Sequence, residues 1–326
     1  MSSLKHIIKR LFFTMYCIAT FVLISLSAQE TNDTTAVKAD STDTKKTLSE
    51  LIKSSRKIEG LFTFFQDTVN GSVQMLIEKN QLNKEYIHFV HTLDGVVDVG
   101  HFRGAYKTSK IFEIRKYFNR LEFLTINTAY YFDPDNALSR AESANINAAV
   151  LVALVIVATD DETGAMLIKV DDMFLSENLY QIKPAPKPEA KPGTRFALGS
   201  LNKKKCQYIA LNNYPLNSDV VIKYVYDNPT PTNRGGPGIT DPRAVHVVIQ
   251  HSFIAVPEND YNPRYDDPRV GYFMTQVTDL TSTSNTPYRD LIHRWNLIKK
   301  EPSAPISEPV EPTVFWIENT TPTEFR

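Results

Sequence analysis

The feature that most constrains this chain is a rhythm of short apolar and aromatic runs broken by turn residues. "LFTFFQD", "SVQMLIEK" and "EYIHFVHTL" follow one another with Asn-Gly, Asn-Lys and Asp-Gly turns at their ends. Asn70-Gly71 and Asp94-Gly95 are hairpin signals, because both dipeptides tolerate the left-handed backbone that tight turns need. "KIFEIRKYF", "RLEFLTIN" and "AYYFDPD" continue the pattern. Residues 147–158, "NAAVLVALVIVA", are almost wholly apolar. They are too short to span a bilayer and rich in Val, so they predict a buried strand. "DDETG" then turns the chain into "AMLIKV". Further strands are expected over "DVVIKYVYD" and "AVHVVIQHSFIAV", joined by the Gly/Pro-rich loop 228–243. The predicted fold class is α+β, predominantly antiparallel β with few short helices.

Helices are sparse in this reading. Residues 47–62 are amphipathic for a turn or two, and "NALSRAESANINAAV" has room for a short helix. The longest helical pattern is "NTPYRDLIHRWNLIKK", 285–300. Leu291, Ile292, Trp295 and Ile298 fall close to one helical face, and Lys299 and Lys300 suit the C-terminal dipole. Two Pro-rich stretches punctuate the chain. The expected organisation is a β-rich region 49–181, a Pro-rich linker or loop 182–193, a second β-rich part 194–298 ending in that helix, and a Pro-rich linker 299–312.

The N-terminus reads as a leader. Lys5, Lys9 and Arg10 precede an apolar run that ends in small residues, so residues 1–28 are expected to be a signal peptide cleaved near Ala28. Residues 29–48 are polar and predict a flexible spacer. Export to the periplasm or the cell exterior follows from this expectation, with no membrane span after cleavage. Cleavage would remove Cys17 and leave Cys206 alone, so no internal disulfide is expected. It would also leave 33 cationic against 37 acidic side chains. That balance implies no overall field toward nucleic acid or an acidic membrane, and no nucleic-acid partner is expected.

Catalytic signatures are missing. None of the 7 histidines is followed by Glu, so the zinc-protease pattern H-E-x-x-H does not occur. His88 and His91 lie three apart and His246 and His251 five apart. On strands, odd offsets place the two rings on opposite faces, which argues against a shared metal. "NRGGPG" lacks the Gly-Lys-Ser/Thr of a phosphate loop, and no Gly-x-Ser-x-Gly elbow exists. Cys206 has no base partner visible in the sequence. One cluster is dense: "NPRYDDPRVGYF" carries Arg264, Asp266, Asp267 and Arg269. It is either a rigid loop with Arg–Asp pairs or a segment that docks into a partner site.

Several blocks resemble one family. "GLFTFFQD", "LNKEYIHF", "DVGHFRG", "YFDPDNALSRA", "YPLNSDVVIKYVYDNP", "DDPRVGYF", "TPYRDLIHRWNL" and "EPVEPTVFWIENTTPTEFR" are similar, in order from about Gly60 to Arg326, to the N-terminal regions of large secreted bacterial zinc-dependent metalloproteases. The resemblance implies a metzincin-like zinc helix downstream, with H-E-x-x-H and a third histidine. No zinc ligand or catalytic base of that family has a matching position here, so no cofactor is expected in this chain and none of its residues is expected to be catalytic. "VFWIENTTPTEFR" resembles the start of the catalytic domain, a strand followed by a helix start capped by Thr321-Pro322. Residues 313–326 are therefore expected to be a truncated catalytic-domain start. The expected function is a non-catalytic, prodomain-like region that assists folding or restrains the zinc site of a catalytic domain in cis, inactive alone. A stand-alone β-rich binding module is the alternative. An enzyme of another class would need His88, His101 or His246 in a polar pocket with a carboxylate.

Overall fold

A computed structural model describes residues 46–185, 189, 191, 193–258, 261–317 and 320–325. The expected signal peptide 1–28 and most of the expected spacer 29–48 lie outside the described residues, as does part of the Pro-rich stretch 182–193. Strands dominate, and almost all pair antiparallel.

Helix α1 (Leu48–Ile52) opens the described chain with a capping box between Thr47 and Glu50. It is followed by β1 (Ser55–Ile58), β2 (Thr63–Asp67), β3 (Val73–Ile77), β4 (Glu85–Asp94), β5 (Tyr106–Tyr117), β6 (Arg120–Thr125), β7 (Tyr130–Tyr131), β8 (Ala149–Thr159) and β9 (Met166–Lys169). Helix α2 (Asp171–Phe174) precedes β10 (Ser200–Leu201), β11 (Gln207–Tyr214), β12 (Asn217–Asp227), β13 (Ala244–Ala255), β14 (Met274–Asp279) and β15 (Tyr288–Ile292). Twelve strands form one sheet in the order β1-β2-β3-β9-β8-β6-β5-β4-β13-β12-β10, with β11 also on β12. Because β4 pairs with β13, strands from both sides of the Pro-rich stretch 182–193 share this sheet. A separate three-stranded sheet runs β15-β14-β7.

The large sheet curls until its ends nearly meet. The seam is polar. Leu61 N donates to Tyr214 O at 2.7 Å. The Asn213 amide donates to Ile58 O at 2.9 Å and Phe62 O at 2.6 Å. Ser218 Oγ donates to Asn213 Oδ1 and accepts from Phe62 N at 3.0 Å. Gly60 permits this approach, since a Cβ there would lie 2.2 Å from Asn213 Oδ1 and 2.7 Å from Tyr214 N. Closing the sheet removes edges that would otherwise invite other strands.

Alternation fills the interior. On β4, Tyr86, His88, Val90 and Thr92 point in and their neighbours point out. On β12, Ser218, Val220, Ile222, Tyr224 and Tyr226 do the same. Phe62, Phe112, Phe174 and His88 gather round Phe253 with ring centroids 5.0–6.2 Å apart.

Several expectations are corrected. Asn70-Gly71 does turn β2 into β3, with Gly71 at φ 76°. Asp94-Gly95 is no tight hairpin: β4 and β5 pair, but the loop 95–105 joins them. The run 147–158 forms β8, yet it is not fully buried. Val155 is 59% exposed because the curled sheet covers only its concave face. The expected helix 285–300 is a strand, β15, over its first part and has no helix after it. Pro287, the β-branched Ile292 and several weak helix formers weaken the helix, and pairing with β14 favours the strand. Residues 313–317 form no strand, since no neighbour pairs with them. A single 3-10 turn, Thr323–Phe325, follows Pro322. The stretch 299–312 closes on itself: Lys300 N donates to Glu308 O and Val310 N to Ile298 O.

Candidate functional site

The polar groups inside the curled sheet are the obvious place to look for chemistry. β4, β13 and β12 are neighbours, so His88, His251 and Tyr224 come together from three strands. His88 Nε2 lies 3.0 Å from His251 Nδ1, with the rings stacked at 5.3 Å. His251 Nε2 lies 2.9 Å from the Tyr224 hydroxyl, which donates to Phe174 O at 2.8 Å. Counting donors sets the direction. The Tyr224 proton is committed to Phe174, so Tyr224 accepts from His251 Nε2–H. Neutral His251 then accepts at Nδ1, and His88 Nε2 donates. Three donors point one way and end on a backbone carbonyl of α2.

Both rings are held neutral. Burial pulls His88 down to about 4, with the Lys110 charge acting in the same direction. Burial drives His251 well below the ordinary imidazole value, and His88 adds to this. The in-segment pairs weighed for a metal are indeed split: His91 lies on the opposite face of β4 from His88, and His246 is exposed while His251 is buried. Among the described residues no group of three His, Cys, Asp or Glu is placed to hold a metal.

Two carboxylates act as staples. Glu177 Oε1 accepts from Ile182 N and Lys183 N at 2.7 Å each, and from the Tyr226 hydroxyl at 2.9 Å. Asp171 Oδ1 accepts from Val73 N at 3.0 Å and the Tyr208 hydroxyl at 2.9 Å. Burial, reinforced by these carboxylates, raises both phenols far above their ordinary range. His101 is satisfied by Thr92 Oγ1 at 3.2 Å and Ile182 O at 3.0 Å. Thus His88 and His101 are bound to neutral partners and His246 faces out, so the pocket an unrelated enzyme would need is not assembled from them.

A cleft of about 520 Å³ opens beside α2 and β11, lined by Gln66, Asn70, Asp171, Cys206 and Tyr208 among others. Its thiol is structural. Cys206 Sγ donates to Asn202 O at 3.4 Å and accepts from Val225 N at 3.5 Å. Burial pushes its pKa up, which keeps it protonated and poorly nucleophilic.

The segment with Arg264, Asp266, Asp267 and Arg269 lies along the outer edge of β15. Asp266 N donates to Asp290 O at 2.7 Å, and Ile292 N donates to Arg264 O at 3.0 Å. Asp267 and Arg269 form a two-pronged pair, with contacts at 2.9 and 2.6 Å, that holds the carboxyl below its ordinary range. Asp266 Oδ1 accepts from Tyr272 N at 3.2 Å. The four side chains therefore do not converge on one point. Asp267 and Arg269 satisfy each other, while Arg264 and Asp266 use their backbone to cap a strand edge.

Residues 106–300, more than half of the chain, match the family model described as a domain of unknown function, DUF5117. The chain belongs to the DUF5117 family. No curated protein and no solved structure matches it. The DUF5117 segment carries Tyr224, Tyr226, Glu177, His251 and the Arg264–Arg269 loop, but β1–β4 precede it. The buried relay thus joins a DUF5117 residue, His251, to His88 outside the matched segment. Sequence reasoning did not pair these residues. The available signal was the alternation in "DVVIKYVYD", which sends Tyr224 and Tyr226 to the core face, where each hydroxyl needs a partner.

Proposed function

We propose that this DUF5117 chain is the non-catalytic N-terminal region of an exported zinc-dependent metalloprotease, and that its C-terminal part is a docking face for a catalytic domain in cis. One observation carries the reading. Among the described residues from Val256 to Pro312 none is buried, although Trp295, Leu297, Ile298, Ile306 and Val310 are all there, Ile306 at 90% exposure. Large apolar side chains left in water over so long a stretch mark a surface meant for a partner. Trp295 and Phe315 already touch edge to face at 6.2 Å, linking the second β-rich part to the stretch that resembles the start of a catalytic domain. Zinc belongs, in this reading, to that domain, where the resemblance places H-E-x-x-H. Asp266 is the better candidate than Asp267 to restrain a downstream site, because Asp267 is held by Arg269.

The test has two parts. The coding sequence past Arg326 should stay open and reach H-E-x-x-H. Residues 49–312 added to the matched catalytic domain should bind it or slow peptide cleavage. Neither binding nor inhibition would sink the proposal.

A further inference from the structure

The tip of the β5–β6 hairpin breaks a rule that most tight turns obey. Tyr117 pairs with Arg120, so only Phe118 and Asn119 make the turn. The first of these sits at φ 49°, a left-handed backbone that suits Gly or Asn and penalises a bulky ring. The Phe118 ring is left 81% exposed, while the turn backbone is held by Ile156 N of β8, which donates to Asn119 O at 2.8 Å. Tyr117, itself 52% exposed, touches it edge to face at 4.8 Å. Arg120 lies over the other ring, its guanidinium carbon 4.8 Å from the Tyr117 centroid. Arg115 to Arg120 are six consecutive exposed residues, "RKYFNR", with three cations and no acid. Glu113 and Glu122, one step behind, pair with Arg115 and Arg120 and brace the tip.

We infer that the Tyr117–Phe118 hairpin tip is a wedge that enters the surface of an anionic phospholipid bilayer. A left-handed turn residue whose large ring is left in water, with only Tyr117 against it, points to a role outside the molecule. The shape selects the partner. A stable protein interface takes about 800 Å² from each side, and two rings supply about 400 Å² at most. A bilayer needs no matching shape. An apolar ring at the apex, an amphipathic Tyr beside it and cations behind it form the order in which a membrane interface accepts side chains. Arg115 and Arg120 are held by Glu113 and Glu122, so Lys116 between them would meet the phosphates first at headgroup depth. This inference does not depend on a catalytic domain following.

The experiment uses the chain from Gln29, which holds every described core residue. It is co-sedimented with vesicles of equal parts phosphatidylglycerol and phosphatidylcholine, and with vesicles of phosphatidylcholine alone. Binding to the anionic vesicles is expected, weaker at high salt. Phe118→Gly should melt no lower than the parent, since relief of the left-handed strain offsets the entropy that glycine brings, yet lose at least about tenfold in partitioning. Phe118→Trp should keep binding, shift its emission to the blue and be quenched by brominated lipid. No sedimentation with anionic vesicles overturns the inference, as does equal binding by Phe118→Gly. Loss of contact with a protein partner in that variant, without any vesicle binding, assigns the tip to a protein instead and also overturns it.

Discussion

Acid should weaken this fold through the buried histidine pair before it acts through carboxylates. His88 has an ordinary value of 6.5 when unfolded and about 4 inside the sheet. The unfolded chain therefore binds more protons below about pH 6.5, and stability falls with pH from there until it levels off near the folded value. Working the linkage between about pH 7.5 and about pH 5, His88 alone removes about 2 kcal/mol. His251 acts in the same direction. His91 and His101 are also lowered by burial and form a common background. Asp241, held at about 2 by Arg243, responds only below its unfolded value of 3.8 and lies outside the window. The perturbation is the double variant His88→Leu with His251→Leu, in which Tyr224 still donates to Phe174 O. Urea unfolding followed by far-ultraviolet circular dichroism at the two pH values gives the loss for each protein. The parent should lose at least about 2 kcal/mol more than the variant. Parallel losses in the two proteins would refute the tautomer and burial argument.

Other outcomes follow from single contacts. Gly60→Ala should cost about 1–3 kcal/mol by forcing Asn213 off the seam, and amide exchange at Leu61 should quicken with it. Tyr226→Phe should cost about 1.5–3 kcal/mol, the range for a buried hydrogen bond to a carboxylate, measured by urea titration at neutral pH. Asp267→Asn should leave the melting temperature unchanged, because its pair with Arg269 is solvent-exposed. Any large drop would mean that the loop along β15 depends on that pair.

The sequence determined much of this protein by period alone. The apolar runs marked β4, β12 and β13 as strands, and the odd offsets of His88/His91 and His246/His251 placed the members of each pair on opposite faces. The antiparallel β class was legible for the same reason: side-chain direction is a local consequence of strand geometry. Tertiary structure alone decided the rest. Residues 285–300 have helical spacing, but "YRDLI" within them becomes β15 because β14 offers backbone partners that a helix would forgo. His88 and His251 are 163 residues apart and meet only because β13 lies beside β4. The closing seam at Gly60 and Asn213 joins the two ends of the sheet, a contact no window of sequence contains. Local pattern sets which face a side chain takes. Which strands become neighbours depends on how the whole sheet can bury its aromatic face, and that is a property of the closed structure.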